Sequence, residues 1–232
     1  MQREMEIPEG EITSDWIFQQ LSEEIIEGFL KSGEKISEPV IARRFGTSRA
    51  PVREAVRRLE ERGLVNRKPR SGCRVASFSV ESFIEICEIR EALEGTACRL
   101  AAERMSGEEL VELRNALEQN LRIFRPAEKS TAETFKSDMD FHYVIARGSK
   151  NATLARLLCE DYYNLIKLYR KRYSWIGSAE DRAQSIKEHL RILEAMEDRD
   201  GAFAEVIMRR HIAMAMKKLR KSVDTITIEQ SA

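Results

Sequence analysis

The chain contains three histidines, His142, His189 and His211, and each falls where a metal ion could use it. Across 135–149, Phe135, Asp138, His142 and Ile145 recur at three- and four-residue steps, so a carboxylate and an imidazole share one helical stripe with hydrophobes. Across 184–196 the inward stripe reads Ile186, His189, Leu190, Leu193 and Met196, and across 202–216 it reads Ala204, Ile207, Met208, His211 and Ala215. Each of these helices would therefore turn a polar ligand toward the interior, where an ionised carboxylate does not sit unpaired. An Asp oxygen and imidazole nitrogens suit a borderline divalent ion such as zinc, nickel, iron, manganese or cobalt, and exclude a thiolate-type site. A single inward histidine is most simply a hydrogen-bonded core residue. All of the chain's histidines on apolar stripes, joined by Asp138, favour a metal.

Arg90 is the second residue with chemistry to offer. It lies within the stripe Phe83, Ile86, Cys87, Arg90, Leu93 and Ala97, so its planar fork of donors is expected to point inward, where it suits bidentate capture of a carboxylate. The competing reading is an internal ion pair with Glu94 or Glu91. Four protein ligands leave about two positions of an octahedral shell open, so an effector oxygen could complete it while Arg90 holds another. Asn164 and Arg170, in the aromatic and polar run 162–173, are further candidates for lining the same cavity.

The third signal is charge. Lys plus Arg equal Asp plus Glu, 39 each, yet the segment Pro39–Ala76 holds ten Arg and Lys68 against only Glu54, Glu60 and Glu61. A neutral chain with one concentrated basic segment suits a local polyanion contact better than non-specific coating of nucleic acid or membrane. Part of that charge, Arg58, Glu61 and Arg62, could simply be a solvated helix face.

Positioning such residues requires a particular order of elements. Asp15 is expected to cap a first helix with apolar positions Ile17, Leu21, Ile25 and Phe29, broken by Gly33. A short helix over about 38–45 should close at Gly46. Thr47 or Ser48 should cap a third helix, with Pro51 in its first turn. There Arg49, Arg53 and Arg57 face one way while Val52, Val56 and Leu59 face the other. One face meets the core and the other can meet phosphates and base edges. After Gly63, a strand from Leu64–Val65, the basic turn KPRSG and a strand Cys73–Ala76 form a two-stranded wing that can touch the DNA backbone or minor groove.

These residues carry a resemblance. The segment 32–75, with its core SRAPVREAVRRLEERGLV, closely resembles the DNA-binding domain of GntR-family transcription regulators. IREALEGTACRLAAER at 89–104, the pattern FxxDxxFHxxIxxxSxN at 135–151, and His189 and His211 resemble the helical ligand-binding domain, FCD, of the FadR subgroup. The likeness runs from about Ile12 to about Val223. It implies operator contacts from Arg49 and Arg53, the capping Thr47 and Ser48, and Gly72 at the wing tip; charge and position add Arg43, Arg44 and Arg70. It also implies that Asp138, His142, His189 and His211 form the metal set of the FCD domain. Members of that metal-binding type commonly respond to small carboxylates, and acyl-CoA-binding relatives lack the complete set.

The expected architecture is mainly α: a winged helix-turn-helix over 11–76, a short connection at Ser77–Val80, and an all-helical FCD-like bundle of about six helices over 81–222. Ser106 with Glu109, and Ser178 with Asp181, read as helix caps, and the tail ITIEQSA as frayed. Cys73, Cys87, Cys98 and Cys159 form no CxxC pair and read as reduced packing residues. No apolar run approaches membrane-spanning length and the opening MQREMEIPEGE lacks a signal-peptide core, so a cytoplasmic protein without a membrane partner is expected. Together these features predict a transcription regulator that binds double-stranded operator DNA as a homodimer, since palindromic sites mirror two-fold symmetry. It is expected to repress, and to be controlled by a small carboxylate at a divalent transition metal. A purely structural metal is the alternative. A metal-dependent hydrolase would need a general base that no HExxH motif supplies, and Glu188 is expected to point off the metal-bearing stripe.

Overall fold

The computed structural model describes residues 12–68, 72–123, 141–172 and 179–231. They group into two units: Met1–Ser79 with Asn164–Arg172, and Val80–Tyr163 with Tyr173–Ala232.

In the first unit, α1 spans Ser14–Glu27. Its N-cap is Thr13, whose hydroxyl accepts from the Trp16 N–H at 3.2 Å; Asp15, expected as the cap, instead sits in the first turn and pairs with Arg58. Gly28, at φ +81°, ends the helix, so Phe29 falls beyond it and is exposed rather than buried. A left-handed residue is easiest for glycine, and it stops this helix five residues before Gly33. α2 spans Glu38–Phe45 and closes at Gly46, φ +66°, where a side chain would be strained. α3 spans Arg49–Glu61 with Ser48 at its N-cap, although no side-chain capping bond forms there. Val52, Ala55, Val56 and Leu59 of α3 are buried, and α3 packs against α1, where Ile17, Leu21 and Ile25 supply the facing surface. Each fully buried aliphatic side chain contributes roughly 1.5–3 kcal/mol.

The wing is larger than expected. β2 (Val65–Lys68) and β3 (Gly72–Val75) pair antiparallel, Val65 opposite Val75, and β1 (Lys35–Ile36) pairs with the other edge of β3, giving the order β1-β3-β2. Two residues are too few for a periodicity signal, which is why the sequence suggests only a two-stranded ribbon. A later helix, α8 (Tyr163–Arg172), contributes its residues 164–172 to this unit. Tyr169 meets Phe78 edge-to-face at 5.8 Å, Leu165 lies against Gly63, and Lys171 pairs with Glu27 at 2.8 Å.

The second unit is helical: α4 (Val80–Arg104), α5 (Gly107–Ile123), α6 over 141–148, α7 (Ala152–Arg156) running into a π-helical turn (Leu157–Asp161), α9 (Ala179–Glu197) and α10 (Gly201–Ser231). The tail expected to fray is helical through Ser231. Ser106 and Glu109 form the reciprocal capping box of α5, at 2.8 and 3.1 Å. α4 pairs along α10 through small residues: a β-carbon at Gly95 would lie 2.7 Å from Arg209 Cγ, so glycine lets that side chain cross the helix. Cys98, Ala101, Phe141, Ile145, Ile192, Leu193, Met196, Ala204 and Met208 form its core. All four cysteines are free and buried. No helix among the described residues is long and apolar enough to cross a membrane.

Candidate metal centre and nucleic-acid face

The three histidines converge from α6, α9 and α10. All are buried, and their ligand atoms lie within 4.8 Å of one another. Phe141 stacks on the His189 ring at 4.0 Å and 19°, which holds that imidazole in the core. His189 Nε2 lies 3.1 Å from His211 Nε2. Two nitrogens bound at about 2.1 Å to one ion are ~3 Å apart when the angle between them is near a right angle. Among the described residues, both ring nitrogens of His142 are buried with no hydrogen-bond partner, and the ring belongs to this cluster. These observations fit a divalent ion held by neutral imidazoles. Asp138, the expected fourth ligand, lies outside the described residues.

Carboxylates stand behind two of the rings. Glu188 Oε2 is 2.8 Å from His211 Nδ1, and the bond from His211 holds the Glu188 carboxyl below the usual range. Glu188 was expected to point off the metal-bearing stripe. That reading is corrected: a helical wheel ranks the faces of α9 but does not reveal that α10 crosses beside it. Glu94 Oε2 lies 2.6 Å from His142 Nδ1, within ion-pair range though off the hydrogen-bonding direction. The other oxygen, Oε1, accepts from Arg90 Nε at 2.6 Å. Burial pushes the Glu94 carboxyl up, but Arg90 and His142 outweigh it and hold the group well below its ordinary value. Arg90 is thus buried as expected, with the partner that the competing reading named, and it joins the histidines through Glu94. Asn164 clusters with the N-terminal unit rather than with the unit that holds the histidines.

The basic face divides likewise. Arg43, Arg49 and Arg53 are exposed. Arg53 makes a 3.6 Å contact from Nε to Glu38. Gly72, φ +75°, opens β3 at the exposed end of the wing. Arg44 is instead turned inward: it grips the buried Glu24 at 2.8 and 3.0 Å and covers the Phe45 ring at 4.4 Å. Arg57 is occupied by Glu54 and Glu61. Thr47 is half-buried and its N–H bonds to Ala42 in the turn. Arg70 lies outside the described residues. The sequence could not separate Arg43 from Arg44, because the buried Glu24 that claims Arg44 is 20 residues away.

Residues 13–75 match the family described as bacterial regulatory proteins, gntR family, and residues 85–214 match the FCD domain. The chain belongs to the GntR family. It is a DNA-binding transcription regulator with an FCD domain, not an enzyme. It is 31% identical over 195 residues to the HTH-type transcriptional regulator YdhC of Bacillus subtilis, covering 84% of this chain and 85% of that one. It is 28% identical over 208 residues to the HTH-type transcriptional repressor RspR of Escherichia coli, covering 88% of each. The solved structure of E. coli McbR/YncC shares the fold at TM-score 0.71 and 19% identity, covering 92% of this chain and 100% of that one. GntR regulators bind operator DNA and are typically dimeric.

Proposed function

We propose that this GntR regulator is a homodimeric, cytoplasmic repressor whose operator affinity is set by a small carboxylate bound at a divalent metal held by His142, His189 and His211, with Asp138 as the fourth ligand. Residues 11–76 read the operator through Arg49 and Arg53, with Arg43, Thr47, Ser48, Arg70 and Gly72 beside them; residues 81–222 sense the effector. The single observation that supports the sensor most is the buried three-histidine cluster, in which the ring nitrogens of His142 have no hydrogen-bond partner among the described residues. Bound there, the metal supplies a Lewis-acidic centre for a carboxylate or hydroxyl oxygen. Arg90 supports the choice of a carboxylate, being a guanidinium kept charged in the interior by Glu94. A repressor is supported by the name of the relative RspR.

An effector can change operator affinity only by binding the DNA-competent and DNA-incompetent dimers unequally, a coupling of about 1–3 kcal/mol in typical cases. The commitment of Arg90 Nε to Glu94 favours a second reading, a purely structural metal, in which no carboxylate enters. Elemental analysis, then operator titration with a panel of hydroxy, sugar and dicarboxylic acids, separates the two. A carboxylate that shifts operator affinity only in metal-loaded protein supports the sensor. Metal binding with no response across the panel supports the structural site.

A further inference from the structure

Neutral imidazole carries one N–H and one lone pair, and only the nitrogen with the lone pair can ligate a metal. Which nitrogen is free depends on what the other one meets. His211 Nδ1 faces Glu188 Oε2 at 2.8 Å, and Glu94 Oε2 lies 2.6 Å from His142 Nδ1, close enough to pair although off the hydrogen-bonding direction. A carboxylate at Nδ1 keeps the proton there and leaves Nε2 as the ligand, and the Nε2 atoms of His211 and His189 already lie 3.1 Å apart. Among the described residues both ring nitrogens of His142 are buried without a hydrogen-bond partner, so with Glu94 beside Nδ1 its Nε2 is free to ligate. Glu188 thus acts on the side of the His211 ring away from His189, and Glu94 lies at one ring nitrogen of His142.

We infer that Glu188 and Glu94 are positioning residues for the metal: they fix the Nδ1–H tautomer of His211 and His142 and aim both Nε2 lone pairs at one point. This rests on the metal reading above and assigns the site its outer carboxylates. The two differ in setting. The Glu188 side chain is 25% exposed, so its removal leaves the fold standing. The Glu94 side chain is 6% exposed and shares its charge with Arg90, so the same carboxylate that orients a metal ligand also holds Arg90. Metal occupancy and the position of Arg90 are thereby joined through one side chain.

Partners of this kind typically change metal affinity by about 10- to 100-fold when lost. The test measures zinc affinity of the full chain by competition with a chromophoric chelator, alongside the melting temperature of metal-free protein and the absorption spectrum of the cobalt form. Glu188→Ala should weaken zinc binding by roughly 10- to 100-fold with the metal-free melting temperature unchanged and the cobalt bands shifted. Glu188→Gln, which keeps an acceptor oxygen and loses the charge, should fall between the two. Glu94→Gln should weaken zinc likewise; if that variant does not fold, the Glu188 pair still decides. Wild-type zinc affinity and cobalt spectrum in Glu188→Ala overturn the inference while leaving the metal reading intact. A wild-type chain that takes up no zinc overturns both.

Discussion

The two faces of α3 make opposite demands, and substituting one residue on each separates them. Arg53 is exposed, 67% for its side chain, and its contact with Glu38 is 3.6 Å long. An exposed pair of that kind is worth about 0–1 kcal/mol, and Ala is at least as good as Arg in a helix, so Arg53→Ala should leave stability within about 0.5 kcal/mol. For DNA the loss is larger: a guanidinium on a base edge or phosphate contributes roughly 1–3 kcal/mol, a fall in affinity of about 5- to 150-fold. Leu59, six positions on and fully buried, should do the reverse. Leu59→Ala removes a core side chain at about 2–5 kcal/mol of stability and touches no DNA. Fluorescence anisotropy with a duplex from upstream of the protein's own gene, at several salt concentrations, reads the first quantity, and urea unfolding reads the second. If Arg53 meets a phosphate, the slope of log affinity against log salt should also drop by about one. An Arg53→Ala variant that binds the duplex as wild type does at about 0.1 M salt would falsify the assignment of this face.

Metal-reconstituted protein should carry about one divalent ion per chain and melt higher than the chelated form, because ligands from separate helices tie the bundle together. His142→Ala and His211→Ala should each lose the ion and that increment, and equal metal content in the variants rejects the site. Arg90→Lys keeps a cation beside Glu94 but lacks the planar fork, so metal content and effector-free DNA binding should persist while the carboxylate response disappears. An unchanged response in that variant removes Arg90 from the effector site. The four cysteines are buried and burial pushes the Cys159 thiol up to about 11, so a thiol reagent at about pH 8 should modify them only after unfolding; rapid labelling of native protein contradicts the packing.

The helix-turn-helix was readable because its signals are local: Gly46 at a left-handed turn, Pro51 early in α3, and an apolar stripe at helical spacing. The convergence of the histidines was readable from the same periodicity, since a residue on a buried stripe must face the core. What could not be read were pairings across elements. Glu94 was one of two candidates for Arg90, and nothing in the order of residues links Glu24 to Arg44 or Glu188 to His211, which are 20 and 23 positions apart. The third strand escaped because Lys35–Ile36 is defined by its hydrogen bonds to β3 and not by any pattern of its own.

The alliance of α8 with the N-terminal unit bears on how such a gene can be recombined. The DNA-reading unit is not one contiguous run of codons: Tyr169 packs on Phe78 and Lys171 holds Glu27, yet roughly ninety codons separate the members of the first pair. A crossover after codon 79 that attached a foreign sensor would remove Leu165 and Tyr169 and strand Phe78 beside a surface it was not shaped for. Exchange of sensors in this lineage therefore calls for a second, compensating segment equivalent to codons 164–172, and a synthetic chimera that moves both segments together should be soluble where one that moves only the first is not.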